Sequence, residues 1–162
     1  GQDELDWVGI YATRLNAMLL CSAFGEKAHG EIITDPSVLP NVAKPIAIGA
    51  GWKPGWSTDF VSVEMAGTVH ARHVVNLSNI DYVYTDDPNK NPDATKIENI
   101  SWNDFRKLIP AEWNPGLSSP FDPIAAREAE RLGIEVAVIN GNNLTELENY
   151  LEGRPFVGTR LS

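Results

Sequence analysis

Apolar residues in this chain fall into short runs that alternate with capped helical stretches. Residues 7–24 are good helix formers without proline, Asp6 stands where a cap belongs and Gly25 follows the end. Its apolar positions surround the predicted helix instead of forming one stripe, so the pattern predicts a largely buried helix that takes part in a subunit interface. Cys21 falls within it and reads as a small buried core residue.

Residues 31–33 read as a short strand, and a loop around Pro36 and Pro40 leads to a buried strand at about 46–50. A glycine loop follows, with Ser57, Thr58 and Asp59 available to cap a helix that runs to about Ala66. The apolar run 74–77 predicts the next strand, and 102–109 a short helix. From Ser118 the chain enters another helix, with Asp122 at the N-cap, Pro123 at the first helical position and Gly133 closing it after Leu132. A strand at 134–139, a helix at 144–151 and a closing strand at 156–160 complete the pattern. Strands and helices alternate, which predicts a three-layer α/β/α sandwich on a mainly parallel sheet.

At 162 residues and 43% hydrophobic, the chain can bury one core, so a single domain is the expectation. Its net charge is −9 and its Lys and Arg residues are not clustered, which excludes a counterion-release surface for nucleic acid and disfavours anionic membranes. One cysteine allows no internal disulfide and fits a reducing cytoplasm. The apolar run beside Cys21 is too short to span a bilayer.

Two segments carry candidate chemistry. Gly49, Gly51 and Gly55 before a capped helix suit a phosphate or ribose cradle, although an ordinary glycine turn gives the same spacing. Trp52 and Trp56 favour a ligand, because two indoles in a polar loop are costly to leave in water. Asp86 and Asp87 follow an abrupt break after an apolar strand, as at the carboxyl edge of a parallel sheet. They fit a ribose or a metal carried on phosphates, and equally an acidic turn beside Pro88. His70 and His73 lack a third ligand at zinc spacing and read as exposed or loop residues, and no residue set supports nucleophilic catalysis.

Four stretches in order resemble the amino acid kinase superfamily, and within it the archaeal-type uridylate (UMP) kinases. They are Asp6-Trp7-Val8-Gly9-Ile10 with Thr13-Arg14-Leu15-Asn16-Ala17-Met18-Leu19-Leu20, then Pro54-Gly55-Trp56-Ser57-Thr58-Asp59, then residues 78–88, and last Asp122-Pro123-Ile124-Ala125-Ala126. The resemblance implies transfer of the γ-phosphoryl group of ATP to UMP, with Mg²⁺, through positioning and charge stabilisation without a covalent intermediate. It implies that Asp6 meets the UMP ribose and that Trp52, Lys53, Pro54, Gly55, Trp56, Ser57 and Thr58 wrap UMP, with Thr58 near its phosphate. Ser78, Asn79, Tyr84 and Asp87 then hold the adenosine of ATP. The catalytic groups are left open, with Asp122 the one candidate named, and no resident metal site is implied. A homo-oligomer, a hexamer built from dimers, and a cytoplasmic location also follow from the resemblance.

The chain departs from the family pattern at Ser78, where relatives have Thr, at Tyr82, where they have Gly, and at Trp52, Lys53 and Trp56, where Thr and His are usual. These changes open a second reading, in which the acceptor is another small phosphate, carboxylate or carbamate, and a third, a non-catalytic nucleotide-binding or assembly subunit. The Gly-rich phosphate loop with which a full member begins does not precede Asp6, so this chain alone is expected to be incomplete for catalysis.

Overall fold

The computed structural model describes residues 1–38, 42–111 and 119–162, so Pro40 of the expected loop and Ser118 of the expected helix entry lie outside the described residues. The chain divides into two units that meet in sequence between Ala71 and Arg72.

In the first unit, α1 runs Gln2–Phe24 and ends at Gly25, whose φ of 55° favours glycine. A single 3₁₀ turn, Gly25–Lys27, follows. Contrary to the expectation of a largely buried helix, α1 is covered on one side only within its unit. Ile10 and Ala17 are buried, yet Leu5, Val8, Leu15 and Leu19 are each more than 60% exposed. The reason is geometric: positions 10, 13, 17 and 21 recur at helical spacing and face the rest of the unit, while the remaining apolar positions point away from it. Asp6 is likewise not the cap, since the helix begins before it. Cys21 is half-buried and borders a small core of Ala17, Ala28, Ile48 and Ala50.

The strands expected at 31–33 and 46–50 appear as an interrupted parallel pair. Ala28 bridges Ile46 and Ile33 bridges Gly49. Between those bridges one segment advances five residues (33 − 28) and the other three (49 − 46), so no continuous ladder can form. Helix α2, Thr58–Thr68, begins at Ser57, whose hydroxyl accepts from the Phe60 N–H at 3.1 Å. A Cβ on Gly49 would lie 2.4 Å from the sulfur of Met65, so glycine there lets α2 approach the chain closely.

The second unit contains β1 (His73–Ser78), β2 (Val83–Tyr84), β3 (Lys96–Ile97), β4 (Asn99–Ile100), α3 (Trp102–Leu108), α4 (Pro123–Leu132), β5 (Glu135–Asn140), α5 (Leu144–Leu151) and β6 (Thr159–Leu161). The four-stranded sheet has the order β1-β5-β6-β4. β1 and β5 are parallel, with His73 opposite Glu135 and Ser78 opposite Asn140. β4 and β6 are also parallel, while β5 and β6 are antiparallel. The fold is thus α/β with a mainly parallel sheet, as the alternation of elements predicts, and its closing strand runs against β5 alone.

Val136, Ala137, Val138 and Ile139 are all fully buried, as befits a strand covered on both faces. Ala137 and Ile139 pack on Tyr150 of α5 together with Val75 and Phe156. The Tyr150 hydroxyl donates to Glu135 Oε1 at 2.8 Å, and burial first, then the Glu135 carboxylate, pushes the phenol pKa upward. His73 Nδ1 lies 3.2 Å from that hydroxyl while most of its ring stays exposed, and His70 is exposed with φ 56°. Asp122 caps α4 as expected, accepting from the N–H groups of Ile124 at 2.5 Å and Ala125 at 2.9 Å, and Gly133 closes the helix at φ 66°.

Thr159 holds the β2–β3 hairpin to the sheet. Its buried hydroxyl donates to the Ile97 carbonyl at 2.5 Å and accepts from the Val83 N–H at 2.8 Å. Among the described residues, no helix is long and apolar enough to cross a membrane.

Thr159→Val preserves shape but leaves a buried N–H and a carbonyl without a partner, so it should destabilise the second unit by about 1–3 kcal/mol. Chemical denaturation measures this directly; an unchanged midpoint would mean that water replaces the hydroxyl.

Candidate functional site

The glycine loop of the first unit has no regular structure, so its backbone groups must find other partners. Side chains of α1 supply them. Asp6 Oδ2 accepts from the Gly55 N–H at 2.9 Å. Thr13 Oγ1 accepts from the Gly51 N–H at 2.9 Å while donating to the Ile10 carbonyl at 2.7 Å. Arg14 donates through Nη2 to the carbonyls of Gly51 at 3.3 Å and Trp52 at 3.1 Å. The structure therefore brings Asp6 and the 52–58 segment together, as the sequence leads one to expect.

On that loop Trp52 and Trp56 sit with ring centroids 5.9 Å apart, and Trp56 stacks on Phe60 at 4.1 Å. The Lys53 ammonium lies 3.8 Å over the Trp52 ring. Asp35 closes the cluster: its carboxyl is held below the ordinary Asp value by the Ser37 hydroxyl and amide first, and then by Lys53 and the Trp52 indole. Pro54 is half-buried and Gly55 exposed, Ser57 is spent on the cap of α2, and Thr58 opens that helix. A cavity of about 330 Å³ lined by Thr13, Gly49, Ala50, Thr58, Val61, Ser62 and Met65 adjoins the loop.

In the second unit, Ser78 and Asn79 stand at the carboxyl end of β1, and the Ser78 carbonyl accepts from the Gly141 N–H at 2.8 Å. Asn140, at the corresponding end of β5, donates to Asp81 at 2.7 Å, so the turns after the two parallel strands are tied together. Tyr84 is half-buried on β2. Tyr82, the residue at odds with the family pattern, packs its ring 4.7 Å from the Lys96 ammonium. Asp87 accepts from the backbone and side chain of Asn89 and pairs with Lys90 at 3.2 Å. Asp86 accepts from the Asp87 N–H and from Asn91. Asp122 is buried and its Oδ1 is occupied by the α4 cap.

A larger cleft, about 560 Å³, opens at the opposite ends of β1 and β5 and is lined by Arg72, His73, Trp102 and Glu135 among others. Within this unit it lies at the far ends of those strands from Ser78 and Asn140, and volume alone gives it no chemistry.

Thr13 and Arg14 hold the loop, a part that reading the sequence for chemistry misses. Counted from Asp6 they fall at i+7 and i+8, which places all three near one face of α1. Asp81 and Asn140 carry no such signal, because they lie far apart in sequence and meet only when β1 pairs with β5.

Both acids of the 86–87 turn have depressed pKa values, Asp86 chiefly through Asn91 and Asp87 chiefly through the Asn89 amide. A carboxylate depressed in the folded state contributes its full share above the unfolded value, here 3.8, and loses it as pH falls through the folded value. NMR resonances of the Asn89 and Asn91 side-chain amides should therefore hold steady down to about pH 4 and shift only below it; a shift between pH 5 and 7 would contradict this arrangement.

The model of the amino acid kinase family matches residues 2–140. Over 152 residues the chain is 36% identical to the uridylate kinase of Pyrococcus abyssi, covering 92% of this chain and 68% of that protein. Against the uridylate kinase of Methanosarcina mazei it is 38% identical over 151 residues, covering 88% and 64%. The crystal structure of uridylate kinase from Archaeoglobus fulgidus matches with a TM-score of 0.83 at 28% identity, covering all of this chain and 73% of that one. UMP kinase from Ureaplasma parvum, at 19% identity and a TM-score of 0.75, shares the fold. The chain thus spans roughly two thirds of the length of these relatives.

Proposed function

The chain belongs to the amino acid kinase family, and from that premise we propose that the full-length protein transfers the γ-phosphoryl group of ATP to UMP, giving ADP and UDP in the cytoplasm. The observation that carries this reading is the bond from Gly55 to Asp6, which closes the aromatic loop onto α1 in a chain similar to proteins called uridylate kinases. With Oδ2 on Gly55, the Asp6 Oδ1 is the oxygen assigned to the acceptor ribose. Trp52 and Trp56 offer faces to a base, and the start of α2 at Thr58 offers N–H groups and a favourable dipole to the acceptor phosphate.

Ser78, Asn79, Tyr84 and Asp87 are assigned to ATP, because open α/β sheets receive ligands outside the carboxyl ends of their strands. Mg²⁺ belongs to this reading as a companion of the ATP phosphates. Among the described residues, no three His, Cys, Asp or Glu side chains come together in a group that could hold a metal ion, so no step is assigned to a resident metal. Phosphoryl transfer of this kind depends on positioning and on stabilising charge, which the residues above serve by orienting the two nucleotides. The exposed apolar side of α1, with Leu5, Val8, Leu15 and Leu19, supports self-association into the homo-oligomer, a hexamer built from dimers, that the resemblance implies.

A second reading, transfer to another small phosphate, carboxylate or carbamate, draws on the loop itself, where a cation sits on an indole in a pair of tryptophans. A panel of acceptors with the full-length enzyme separates the two. UMP should give ADP release with an appreciably higher kcat/KM than any other acceptor; ATP binding with no ADP release for any acceptor would favour a non-catalytic subunit.

Asp87→Ala should raise the KM for ATP while leaving UMP affinity nearly unchanged. Asp6→Asn should weaken UMP binding by about 1–3 kcal/mol, the range for a lost charge-assisted partner. Titration calorimetry and steady-state kinetics check both. An Asp87→Ala effect confined to UMP would show that the two nucleotide assignments are reversed.

A further inference from the structure

The contacts between α1 and the glycine loop converge on one side chain. Arg14 approaches the Gly51 carbonyl with Nε at 3.4 Å and Nη2 at 3.3 Å, and the Trp52 carbonyl with Nη2 at 3.1 Å. Two successive carbonyl oxygens therefore turn toward a single cation. Without it their dipoles oppose each other, and the peptide joining residues 51 and 52 has reason to rotate. Behind the guanidinium, the rings of Tyr11 and Trp7 lie 5.5 and 5.9 Å from its central carbon, which braces its plane on an otherwise exposed helix surface.

The peptide before it, joining residues 50 and 51, is held as well. Thr13 receives the Gly51 N–H, and a Cβ on Gly51 would come within 2.9 Å of Thr13 Oγ1 and 3.2 Å of the Ile10 Cα. The loop thus lies against α1 at a distance only glycine permits, and the next residue, Trp52, takes its direction from that contact. Trp52 carries the Lys53 ammonium on its face and borders Trp56.

We propose that Arg14 is a positioning residue for the phosphoryl acceptor: by holding the carbonyls of Gly51 and Trp52 it fixes the loop conformation in which Trp52, Lys53 and Trp56 present one surface to that acceptor. The inference rests on reading this loop as the acceptor site. It requires guanidinium in particular, because an ammonium is a point charge and cannot reproduce a planar fork spread over two acceptors.

Arg14→Lys in the full-length enzyme tests it. The KM for UMP should rise about tenfold, while kcat at saturating UMP and the KM for ATP stay within about twofold. Amide hydrogen exchange of Gly51 and Gly55 should accelerate by about tenfold, because the loop opens locally more often, with the melting temperature nearly unchanged. An unchanged KM for UMP overturns the proposal, as does a joint fall of kcat, both affinities and melting temperature, which marks a merely structural role. If Arg14→Lys does not fold, Thr13→Val, which removes the partner of the Gly51 N–H without changing shape, decides by the same measurements with an expected rise in KM of about threefold. If the unaltered enzyme binds no UMP, the functional reading falls by itself, and the exchange rates of Gly51 and Gly55 in Arg14→Lys still decide whether Arg14 fixes the loop.

Discussion

Backbone groups that leave regular structure need partners, and this constraint organises both candidate sites. Between the bridge at Gly49 and the cap at Ser57 the chain makes no ladder. The polar groups there would be satisfied by water in an open loop, and the loop would then have no fixed shape. Instead Asp6, Thr13 and Arg14 take up the N–H of Gly55, the N–H of Gly51 and the carbonyls of Gly51 and Trp52. A helix thereby acts as a template for a loop some forty residues away in sequence. Thr159 does the same for the β2–β3 hairpin, which would otherwise be a two-residue ladder of marginal stability.

That division of labour explains what the sequence disclosed. β5 was legible because four consecutive apolar residues bounded by polar ones suit only a covered strand, and α4 because Asp122, Pro123 and Gly133 each impose a local conformation that little else can override. The joining of Asp6 to the Pro54–Thr58 segment was legible through family resemblance and not through local physics. The face of α1 was not legible. Hydrophobic residues all round a helix announce burial, yet the side that meets its own unit is set by Asp6, Ile10, Thr13 and Ala17, two of them polar, while Leu15 and Leu19 stay exposed. Nor does the pattern disclose that the 28–33 and 46–49 segments differ in length between their bridges, since a mismatch belongs to the pair and to neither segment by itself.

Asp86 and Asp87 illustrate an ambiguity that structure sharpens without removing. Every oxygen with a partner there is engaged by Asn89, Lys90, Asn91 or a neighbouring backbone N–H. Such a turn holds its own shape, which is what a preorganised ribose site needs and equally what an acidic turn needs. Chain order favours the former, since the turn comes soon after β1. Ser78, Asn140 and Asp81 mark the same carboxyl edge of two parallel strands, tied together by Asn140 and by the Gly141 N–H, and a crevice at such an edge is where ligands of this architecture bind.

Charge decides how such sites attract anionic partners. The chain is acidic overall, at −9, and each nucleotide in the proposed reaction is an anion, so the net field opposes encounter. At physiological ionic strength, however, the screening length is about 8 Å, and distant charges count for little beside those at the loop. There Arg14 is committed to two carbonyls, whereas the Lys53 ammonium remains exposed on the indole of Trp52, 3.8 Å from its centre, with Asp35 as its acidic neighbour. A cation over an aromatic face keeps its charge available to a second partner, because the ring provides polarisable contact without neutralising it. The loop therefore joins a base-sized aromatic surface to an exposed positive charge with Asp35 beside it. That combination suits a phosphorylated aromatic acceptor better than a small aliphatic one, which would leave the indoles wet.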